Sequence, residues 1–469
     1  MNIGIKVDRH DFLYDIHSLV KSFFPDDEVS IFTADDAEKC SIPRDLLLDI
    51  EIPEYTERAA AKNQLKRSIY EMLSAYTGEK LPWGTLSGIR PTKIPMKVLE
   101  EKGTREQAVE LLRRDHLVSA EKAELATQIA EHERKLIEPL SLGPNSSSLY
   151  IHVPFCPSIC LYCTFASSPY AAWKSRLDQY VDTVIQEMKT RSEKLFESGT
   201  DRTPTTVYVG GGTPTVLSPD QLDRLLGAAE EIWNVAGAAE YTVEAGRPDS
   251  LDAEKLAVLK AHGVSRISIN PQTMNDETLK LIGRHHTCDD TRRAFYMARE
   301  LGFDNINMDI ILGLPGEEQA HVEKTLREIE AMGPDSLTVH SLAVKRASRL
   351  RKTIREDREN DIHADYGNYG GLVFENSQTL MQLASDSAAR MGMKPYYLYR
   401  QKNMRGNLEN TGFAAENCAC LYNILIMEEL QTIHAFGAGA STKYVFPDGR
   451  IERTVSPKDV TTYLARQQN

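Results

Sequence analysis

The sequence predicts an α/β protein whose centre is a partial (β/α)6 barrel of the TIM type. From Ser148 onward, short β-rich runs alternate six times with helical segments, a rhythm typical of parallel strands joined by right-handed crossovers. Groups suited to chemistry directly follow the first two strands, where barrel enzymes carry their sites. At 469 residues the chain is too long for one ordinary domain. We therefore expect an α/β N-terminal domain of unknown role (1–145), a core barrel (146–360) and a mixed C-terminal region covering the barrel mouth (361–469).

The N-terminal region carries no recognisable chemical motif. Its amphipathic pattern predicts two helices around one strand, followed by a turn-rich connector and two further helices. These segments are, in order, Asp11–Phe24, Glu28–Phe32, Glu57–Tyr76, Leu81–Pro95, Gln107–Arg114 and Ala120–Ile137. Residues 139–148 are rich in Pro, Gly and Ser, which predicts a linker into the barrel.

The core predicts six strands with five helices between them. The strands are expected at Leu149–His152, Thr206–Val209, Tyr241–Glu244, Arg266–Ile269, Asn307–Leu312 and Ser336–His340. The helices are expected at Leu177–Phe196, Pro219–Trp233, Asp252–His262, Asp289–Gly302 and Glu318–Met332. Beyond the core, a long helix is predicted over Gly371–Met391. The polar and aromatic stretch Lys394–Ala414 has poor periodicity and is expected to pack over the barrel mouth.

Composition excludes several classes of protein. Hydrophobic residues make up 41% and charged residues 26%, which is typical of a globular chain. No apolar run approaches the roughly 20 residues of a membrane helix, and the first residues lack a signal-peptide core, so we expect a cytoplasmic protein with no membrane span. A net charge of −13 disfavours a broad nucleic-acid surface. Seven cysteines, three of them bunched, favour metal binding over a disulfide framework.

The bunched cysteines are the most informative feature of the chain. Cys156, Cys160 and Cys163 follow the first barrel strand with the spacing C-x₃-C-x₂-C. A four-iron cluster has four iron corners, so three thiolates leave one iron open to another ligand. A structural zinc would normally have a fourth protein ligand. The spacing alone is also compatible with a partial zinc site or with chance.

Further polar groups stand at later strand ends. The segment GGGTPT (210–215) follows the second strand, and its glycines would let the backbone approach a ligand, although a tight turn would look the same. Glu244 and Asp309 each lie near the end of a strand, where they could accept bonds from a ligand or serve as rim carboxylates. Gln272 and Arg284 complete the set, and a guanidinium suits a carboxylate through paired donors.

Taken in order, these motifs resemble the oxygen-independent coproporphyrinogen III oxidase family of radical S-adenosylmethionine (SAM) enzymes. Tyr150, the three cysteines, GGGTPT, Glu244, VSRISINPQTMND, Arg284 and DIILGLP run in that family's order, with 12 residues from Gln272 to Arg284 and 25 more to Asp309. The resemblance implies a radical SAM partial barrel, a [4Fe-4S] cluster on the three cysteines, and one or two molecules of SAM. By position, the SAM contacts would be Tyr150, Tyr162, Gly211, Gly212, Thr213, Glu244, Gln272, Arg284, Asp309 and Ala343. No protein residue is expected to be catalytic in its own right, because the cofactors carry the chemistry.

The resemblance also implies a reaction. In it, a 5′-deoxyadenosyl radical takes a hydrogen from each of two propionate side chains of a tetrapyrrole, coproporphyrinogen III, which lose CO₂ and become vinyl groups. An unidentified electron donor and acceptor would be partners. The segments HSLAVKRASRL and YYLYRQKNMRGNLENTG, and the long N-terminal extension, are most similar to the family's coproporphyrinogen dehydrogenase branch.

Two departures from the family keep alternatives open. The well-characterised bacterial oxidase has a further cysteine where this chain has Phe165, which leaves its substrate open to question. The family's haem chaperones carry an H-N-x-x-Y-W signature where this chain reads ENCACLYN. A haem-binding chaperone, or a radical SAM enzyme with another substrate, is therefore the alternative.

Several remaining residues have a structural and a functional interpretation. Cys418 and Cys420 could belong to a second metal site but are more simply ordinary thiols, and Cys40 and Cys288 are interpreted as structural. His285 and His286 could act as acid or base, or be polar residues of the loop after Arg284. The turn at residues 437–441 (GAGAS) resembles a family turn that approaches cofactor or substrate.

Overall fold

The computed structural model describes residues 1–25, 27–36, 42–165, 167–343, 348–350, 376–401 and 407–466, and the backbone of 368–369 and 372–373. Cys40, interpreted above as structural, lies outside the described residues. Among the described residues, no helix is both long enough and apolar enough to cross a membrane.

The first eighty residues form a small α/β unit with its own core. Its elements are β1 (Asn2–Val7), α1 (Leu13–Phe23), β2 (Glu28–Thr33), β3 (Leu46–Ile50) and α2 (Arg58–Thr77). The strands are parallel in the order β2-β1-β3, and the apolar faces of α1 and α2 pack against them. Both predicted helices and the predicted strand of this region are confirmed, whereas β1 and β3 were not predicted.

Residues 81–137 link the first unit to the C-terminal region, since Leu81 belongs to the core of the first unit. They contain α3 (Lys93–Glu100), α4 (Arg105–His116) and α5 (Ala120–Ile137), of which the last two confirm the predicted helices and α3 lies in the predicted connector. Trp83 and α5 share a hydrophobic cluster with Leu398 of the C-terminal region. The buried carboxylate of Glu409 accepts hydrogen bonds from Trp83 Nε1 and Lys122 Nζ, both at 2.8 Å. The predicted domain boundary near residue 145 stays a prediction.

Six parallel strands form the core sheet. They are β4 (Ser147–Val153), β7 (Thr206–Gly211), β8 (Glu240–Glu244), β9 (Arg266–Ser268), β10 (Ile306–Leu312) and β11 (Ser336–Ser341), neighbours in chain order. The connecting helices are α6 (Leu177–Glu197), α7 (Pro219–Ile232), α8 (Ala253–Ala261), α9 (Asp276–Leu281), α10 (Cys288–Glu300) and α11 (Gln319–Met332). All six predicted strands and five predicted helices are confirmed; the short α9 was not predicted. Between β4 and β7, β5 (Phe155–Cys156) pairs with β6 (Ser168–Pro169).

The C-terminal region extends the same sheet at both edges. It contains β12 (Asn368–Tyr369), β13 (Leu372–Val373), α12 (Gln378–Arg390), β14 (Lys394–Tyr399), β15 (Asn410–Ala414), α13 (Leu421–Glu428), β16 (Thr432–Phe436), β17 (Ser441–Val445), β18 (Ile451–Val455) and α14 (Val460–Arg466). β15 pairs antiparallel with β11, and β16 pairs parallel with β4, giving the order β14-β15-β11-β10-β9-β8-β7-β4-β16-β17-β18.

One prediction for this region was wrong in detail, and two of its strands were not predicted. The long helix expected from Gly371 begins at Gln378, because the Ser377 side chain caps it by accepting a hydrogen bond from the Leu380 amide. The stretch from Lys394 contains the strands β14 and β15. Tyr396, Tyr397 and Leu398 of β14 are successively buried, so the strand lacks the alternation by which a half-buried strand is recognised. That this region covers the barrel mouth stays a prediction.

Candidate functional site

Three unpaired thiols lie in one loop at the carboxyl end of the first barrel strand. Cys156 ends β5, and the Cys163 amide donates to the Cys160 carbonyl at 3.2 Å, which makes a tight turn of the segment between the last two. The loop is tied to the far side of the barrel mouth, since the Leu161 amide donates to the Ile282 carbonyl at 2.9 Å and Ser158 Oγ to the Gly283 carbonyl at 2.6 Å. The loop is thus held by the barrel through contacts that need no ligand.

The surroundings of the three thiols differ. Burial raises the pKa of Cys156 to about 11, although Thr213 Oγ1 donates to its sulfur at 3.6 Å. Burial also raises the pKa of Cys163. For Cys160 burial acts in the same direction, but the positive charges of Arg284 and Arg247 outweigh it and lower the pKa. Cys160 is therefore the thiol most easily ionised, and thiolates are the form that binds a metal.

This donor set fits an iron–sulfur cluster better than a single ion. Within the described part of the chain, no three His, Cys, Asp or Glu side chains converge closely enough to hold one metal ion. In a four-iron cluster each thiolate binds a different iron, so the three sulfurs need not meet at one point. Three thiols, with a hydroxyl donor beside Cys156 and guanidinium groups beside Cys160, fit such a cluster.

The glycine loop packs directly beneath the cysteine loop. The Gly212 amide donates to the Val153 carbonyl at 2.8 Å and the Thr213 amide to the Phe155 carbonyl at 2.7 Å. A side-chain carbon on Gly212 would lie 2.6 Å from the Phe155 carbonyl oxygen and 2.8 Å from its nitrogen. Gly211 has φ +107°, a conformation that favours glycine. The glycines are therefore needed for the contact between the two loops, whatever ligand the loop also holds.

Glu244 lies at the end of β8 inside a group of tyrosines. It accepts a hydrogen bond from the Tyr208 hydroxyl, while the Tyr208 and Tyr422 rings stack with centroids 4.5 Å apart. Tyr150 stacks on both, at 6.1 Å from Tyr208 and 6.0 Å from Tyr422. Burial, together with the negative charge of Asp309, raises the pKa of Glu244. A cationic partner would therefore stabilise the ionised form of Glu244.

Asp309 is in the opposite electrostatic state. Asn307 Nδ2 donates to its Oδ1 at 2.7 Å, and His340 Nε2 lies 3.7 Å from its Oδ2. Burial alone would raise the pKa of Asp309, but the interaction with His340 and the hydrogen bonds from Asn307 and Thr338 outweigh it and hold the pKa below its usual value. Asp309 is therefore an ionised acceptor, ordered before any ligand binds.

Gln272 lies beside Asp309, and Arg284 lies beside Cys160. Gln272 has φ +66°, unusual for a residue with a side chain, and its amide and carbonyl hydrogen bond with Asp309 and Ile311 of β10 at 2.9 and 3.0 Å. Its buried Oε1 has no partner among the described residues, which leaves an acceptor for a ligand. The buried Arg284 donates to the Asn270 carbonyl and lies beside Cys160 and the hydroxyl of Tyr162.

The structure therefore brings most of the predicted residues together at one end of the barrel. Tyr162 adjoins Cys160 and Arg284, Tyr150 reaches Glu244 through Tyr208, and Ala343 follows β11 by two residues. Sequence reasoning missed other members of the site: Arg247, Asp249, His340 and Tyr399. Arg247 and Asp249 had a usable signal, because they follow Glu244 directly at the strand end. His340 and Tyr399, with Tyr399 Oη 3.4 Å from His340 Nδ1, are neighbours only in the folded chain.

The residues left with two interpretations now have positions. Cys420 is buried against Glu240 and Cys288 is buried, whereas Cys418 is partly exposed. His286 is buried with its Nδ1 3.7 Å from Asp249 Oδ1, and burial lowers its pKa, while His285 is exposed. Gly437 follows β16 at the same end as the cysteine loop, but a side-chain carbon there would lie 2.5 Å from the His152 carbonyl oxygen, so the turn packs against the barrel.

Comparison with known proteins identifies a matching sequence family and similar chains. The sequence model of the Radical SAM superfamily matches residues 150–329. The chain is 39% identical over 419 residues to the oxygen-independent coproporphyrinogen-III oxidase-like protein HemZ of Bacillus subtilis, covering 88% of this chain and 81% of that protein. It is 38% identical over 199 residues to the haem chaperone HemW of the same organism, covering 42% of this chain and 51% of that one.

Among solved structures, coproporphyrinogen III oxidase (HemN) from Escherichia coli is similar with a TM-score of 0.46 at 21% identity, covering 72% of each chain. The likeness to HemZ extends over most of both chains, and the matches to haem chaperones named HemW cover between 42% and 68% of this chain.

Proposed function

The chain belongs to the radical SAM family of oxygen-independent coproporphyrinogen III oxidases and their relatives, which use a [4Fe-4S] cluster and SAM, and on that premise we propose that it converts coproporphyrinogen III to protoporphyrinogen IX without oxygen. Two propionate side chains would become vinyl groups with release of two molecules of CO₂. The observation that carries the proposal is the match to an oxidase-like relative over 88% of the chain. The three-thiol loop supports it, because the reaction requires the cluster.

In this proposal Cys156, Cys160 and Cys163 hold the cluster. When bound, the cluster and SAM supply an electron and a 5′-deoxyadenosyl radical, so the protein needs no nucleophile of its own. The protein must ionise the thiols and hold them in position. The positive charges beside Cys160 favour its ionisation, and the hydrogen bonds to the Ile282 and Gly283 carbonyls hold the loop.

The remaining site residues would bind and orient SAM, whose sulfonium and amine are positively charged. Asp309 offers an ionised carboxylate to these charges. The pKa of Glu244 is raised by burial and by the charge of Asp309, and a positive charge of SAM beside Glu244 would counteract both effects. The free Oε1 of Gln272 can accept from an amine or a ribose hydroxyl. Arg284, next to Cys160, can meet a carboxylate.

A haem-binding chaperone is the second candidate, and the likeness to HemW favours it. The residues ENCACLYN, in place of the chaperone signature, support the enzyme instead. In the structure Cys420 and Tyr422 of that segment are buried against Glu240 and the tyrosine stack, where neither could reach an external haem. The enzyme is therefore the better proposal.

We place the protein in the cytoplasm, with a tetrapyrrole as substrate and an unidentified electron donor and acceptor as partners. The six described cysteines are all unpaired, and cluster ligation needs reduced thiols, which that compartment maintains.

The proposal is tested by incubating the reconstituted protein without oxygen with coproporphyrinogen III, SAM, a reductant and a cell extract as electron acceptor. Protoporphyrin is measured by fluorescence after oxidation, and deoxyadenosine by chromatography. Both products, with one deoxyadenosine for each vinyl group, support the oxidase. Deoxyadenosine without protoporphyrin rejects the substrate and keeps the radical chemistry, whereas neither product together with tight haem binding supports the chaperone.

A further inference from the structure

One arginine outside the predicted site contacts the loop that carries the three cysteines. Arg247 lies three residues after Glu244 and is only 3% exposed, so its guanidinium is desolvated. A buried cation is stable only when its N–H groups have hydrogen-bond acceptors, so the acceptors around Arg247 indicate its role.

The guanidinium contacts three groups at once. Its Nε and one terminal nitrogen bind the two oxygens of Asp249 at 2.9 and 2.8 Å, a planar paired contact. The two terminal nitrogens donate to the carbonyl and hydroxyl oxygens of Ser158 at 3.2 and 3.1 Å. One of them also lies 3.8 Å from the sulfur of Cys160. The cation thus spans from the segment after β8 to the middle cysteine.

The partners of Arg247 are fixed in turn. Ser158 Oγ donates to the Gly283 carbonyl at 2.6 Å, and Asp249 lies 3.7 Å from the buried His286. The contact to Cys160 is therefore set by a framework of two loops rather than by the cysteine itself. Arg284 also lies near Cys160, but the family resemblance assigns it to SAM and it donates to the Asn270 carbonyl.

We propose that Arg247 is a positioning residue for the cluster, holding the Ser158–Cys160 segment in its ligating geometry and donating an N–H bond to the Cys160 sulfur. The proposal rests on the cluster that the family uses and not on the proposed substrate. A cation and a donor beside a ligating sulfur stabilise the reduced, more negative cluster, so Arg247 makes the cluster easier to reduce. The Asp249 carboxylate keeps the guanidinium oriented toward the loop.

The test uses the full chain, reconstituted with iron and sulfide without oxygen. Arg247→Gln removes the charge and the paired donors of the guanidinium, whereas Arg247→Lys keeps the charge and loses the paired donors. Ser158→Ala removes the hydroxyl that holds the loop and keeps Arg247. Arg224→Gln is the matched control, because Arg224 pairs on the surface with Asp178, 2.9 Å away, and with Asp182. Circular dichroism before reconstitution establishes that each variant is folded.

Two readouts separate the roles of Arg247, and neither needs a porphyrin. The midpoint potential comes from a redox titration followed by electron paramagnetic resonance, and cluster retention from the rate at which a chelator removes iron. We expect Arg247→Gln to shift the potential to more negative values and to release iron about 10-fold faster or more, the scale at which partners of metal ligands act. Arg247→Lys should keep the midpoint potential of the unchanged protein but still release iron faster. Ser158→Ala should also release iron faster, with little change in potential.

A folded Arg247→Gln protein with the potential and iron release of Arg224→Gln overturns the proposal. If the glutamine variant does not fold, Arg247→Lys decides, because faster iron release supports a positioning role and release at the control rate overturns it. Absence of decarboxylation in the unsubstituted protein, with the differences between the variants present, would reject the proposed function and leave the role of Arg247 standing.

Discussion

The two ends of the barrel each hold a group of cysteines, and their surroundings are opposite. At the carboxyl end, Cys156 accepts from a threonine hydroxyl and Cys160 lies between two guanidinium groups. At the amino end, Cys420 has its sulfur 3.4 Å from a carboxylate oxygen of Glu240. Glu240 is itself held by the Leu421 and Tyr422 amides at 2.6 and 3.3 Å, at the start of α13.

These surroundings give the thiols different chemistry. Burial and the Glu240 charge raise the pKa of Cys420, whereas the positive charges beside Cys160 lower its pKa despite burial. A thiolate, and hence a metal ligand, is favoured at the first end and opposed at the second. Short spacing between cysteines occurs at both ends, so spacing alone does not identify the metal site.

The largest expected effect separates the two ends directly. Cys160→Ala should abolish cluster binding and SAM cleavage together, because a cluster with two remaining protein thiolates loses the ligand that ionises most easily. Cys420→Ala, its control, should keep the iron content of the unchanged protein. Iron and sulfide analysis after anaerobic reconstitution checks both, and a cluster of normal content in Cys160→Ala would refute the ligand assignment.

The next largest effect is a loss of folding stability at low pH, to which two buried histidines should contribute equally. Burial lowers the pKa of His152, at the end of β4, and of His434, in β16, to about 4. Since the folded state binds the proton less well than the unfolded state, each histidine contributes stability that is present above its ordinary pKa near 6.5 and is lost as the pH falls toward 4.

For one histidine the loss between pH 7 and pH 4.5 amounts to about 2 to 3 kcal/mol. Urea unfolding of the iron-free protein at the two pH values measures it. His152→Asn should reduce the acid-induced loss by that amount, and any fixed cost of the substitution cancels in the difference between pH values. An identical pH dependence in the variant would show that His152 titrates normally in the folded protein.

A smaller effect tests the contact between the glycine and cysteine loops. In Gly212→Ala the added carbon meets backbone atoms of Phe155 at 2.6 and 2.8 Å, and overpacking of this kind costs about 1 to 3 kcal/mol. The cysteine loop must shift, so we expect lower cluster content as well as lower stability. Gly88→Ala is the matched control, since an added carbon there meets no described neighbour within 4 Å. Equal stability and cluster content in the two variants would exclude a packing role for Gly212.

The comparison of the two ends also shows what sequence can predict. The six barrel strands are recognisable because apolar β-rich runs alternate with amphipathic helices, and the carboxyl ends of these strands place Cys156 and Glu244 at one edge from sequence alone. Asp309, expected near a strand end, lies in the middle of β10. The glycines of GGGTPT predict a ligand loop. The tight contact of Gly212 with Phe155 could not be predicted, because the two residues are 57 positions apart in the chain.

The parts that sequence missed depend on contacts between distant elements. His340 and Tyr399 meet only because β14 and β15 extend the sheet beyond β11, and β14 lacks the alternation that would have revealed it. Glu240 has the sequence context of an ordinary strand residue, yet it decides the state of Cys420, 180 residues away. Patterns with a short period predict elements, whereas the electrostatics of a thiol are set by which elements finally adjoin it.

The smallest expected effect is that of changing Cys418, which tests whether the cysteines at the amino end of the barrel bind a metal. Cys418 is partly exposed and its pKa is raised by burial, so neither its position nor its charge state favours metal binding. Cys418→Ser should change the free energy of unfolding by about 0.5 kcal/mol or less and leave the zinc and iron content unchanged. Metal analysis of the purified protein, with and without a chelator, checks this. A fall in bound metal in Cys418→Ser would show that Cys418 binds metal and would refute its interpretation as an ordinary thiol.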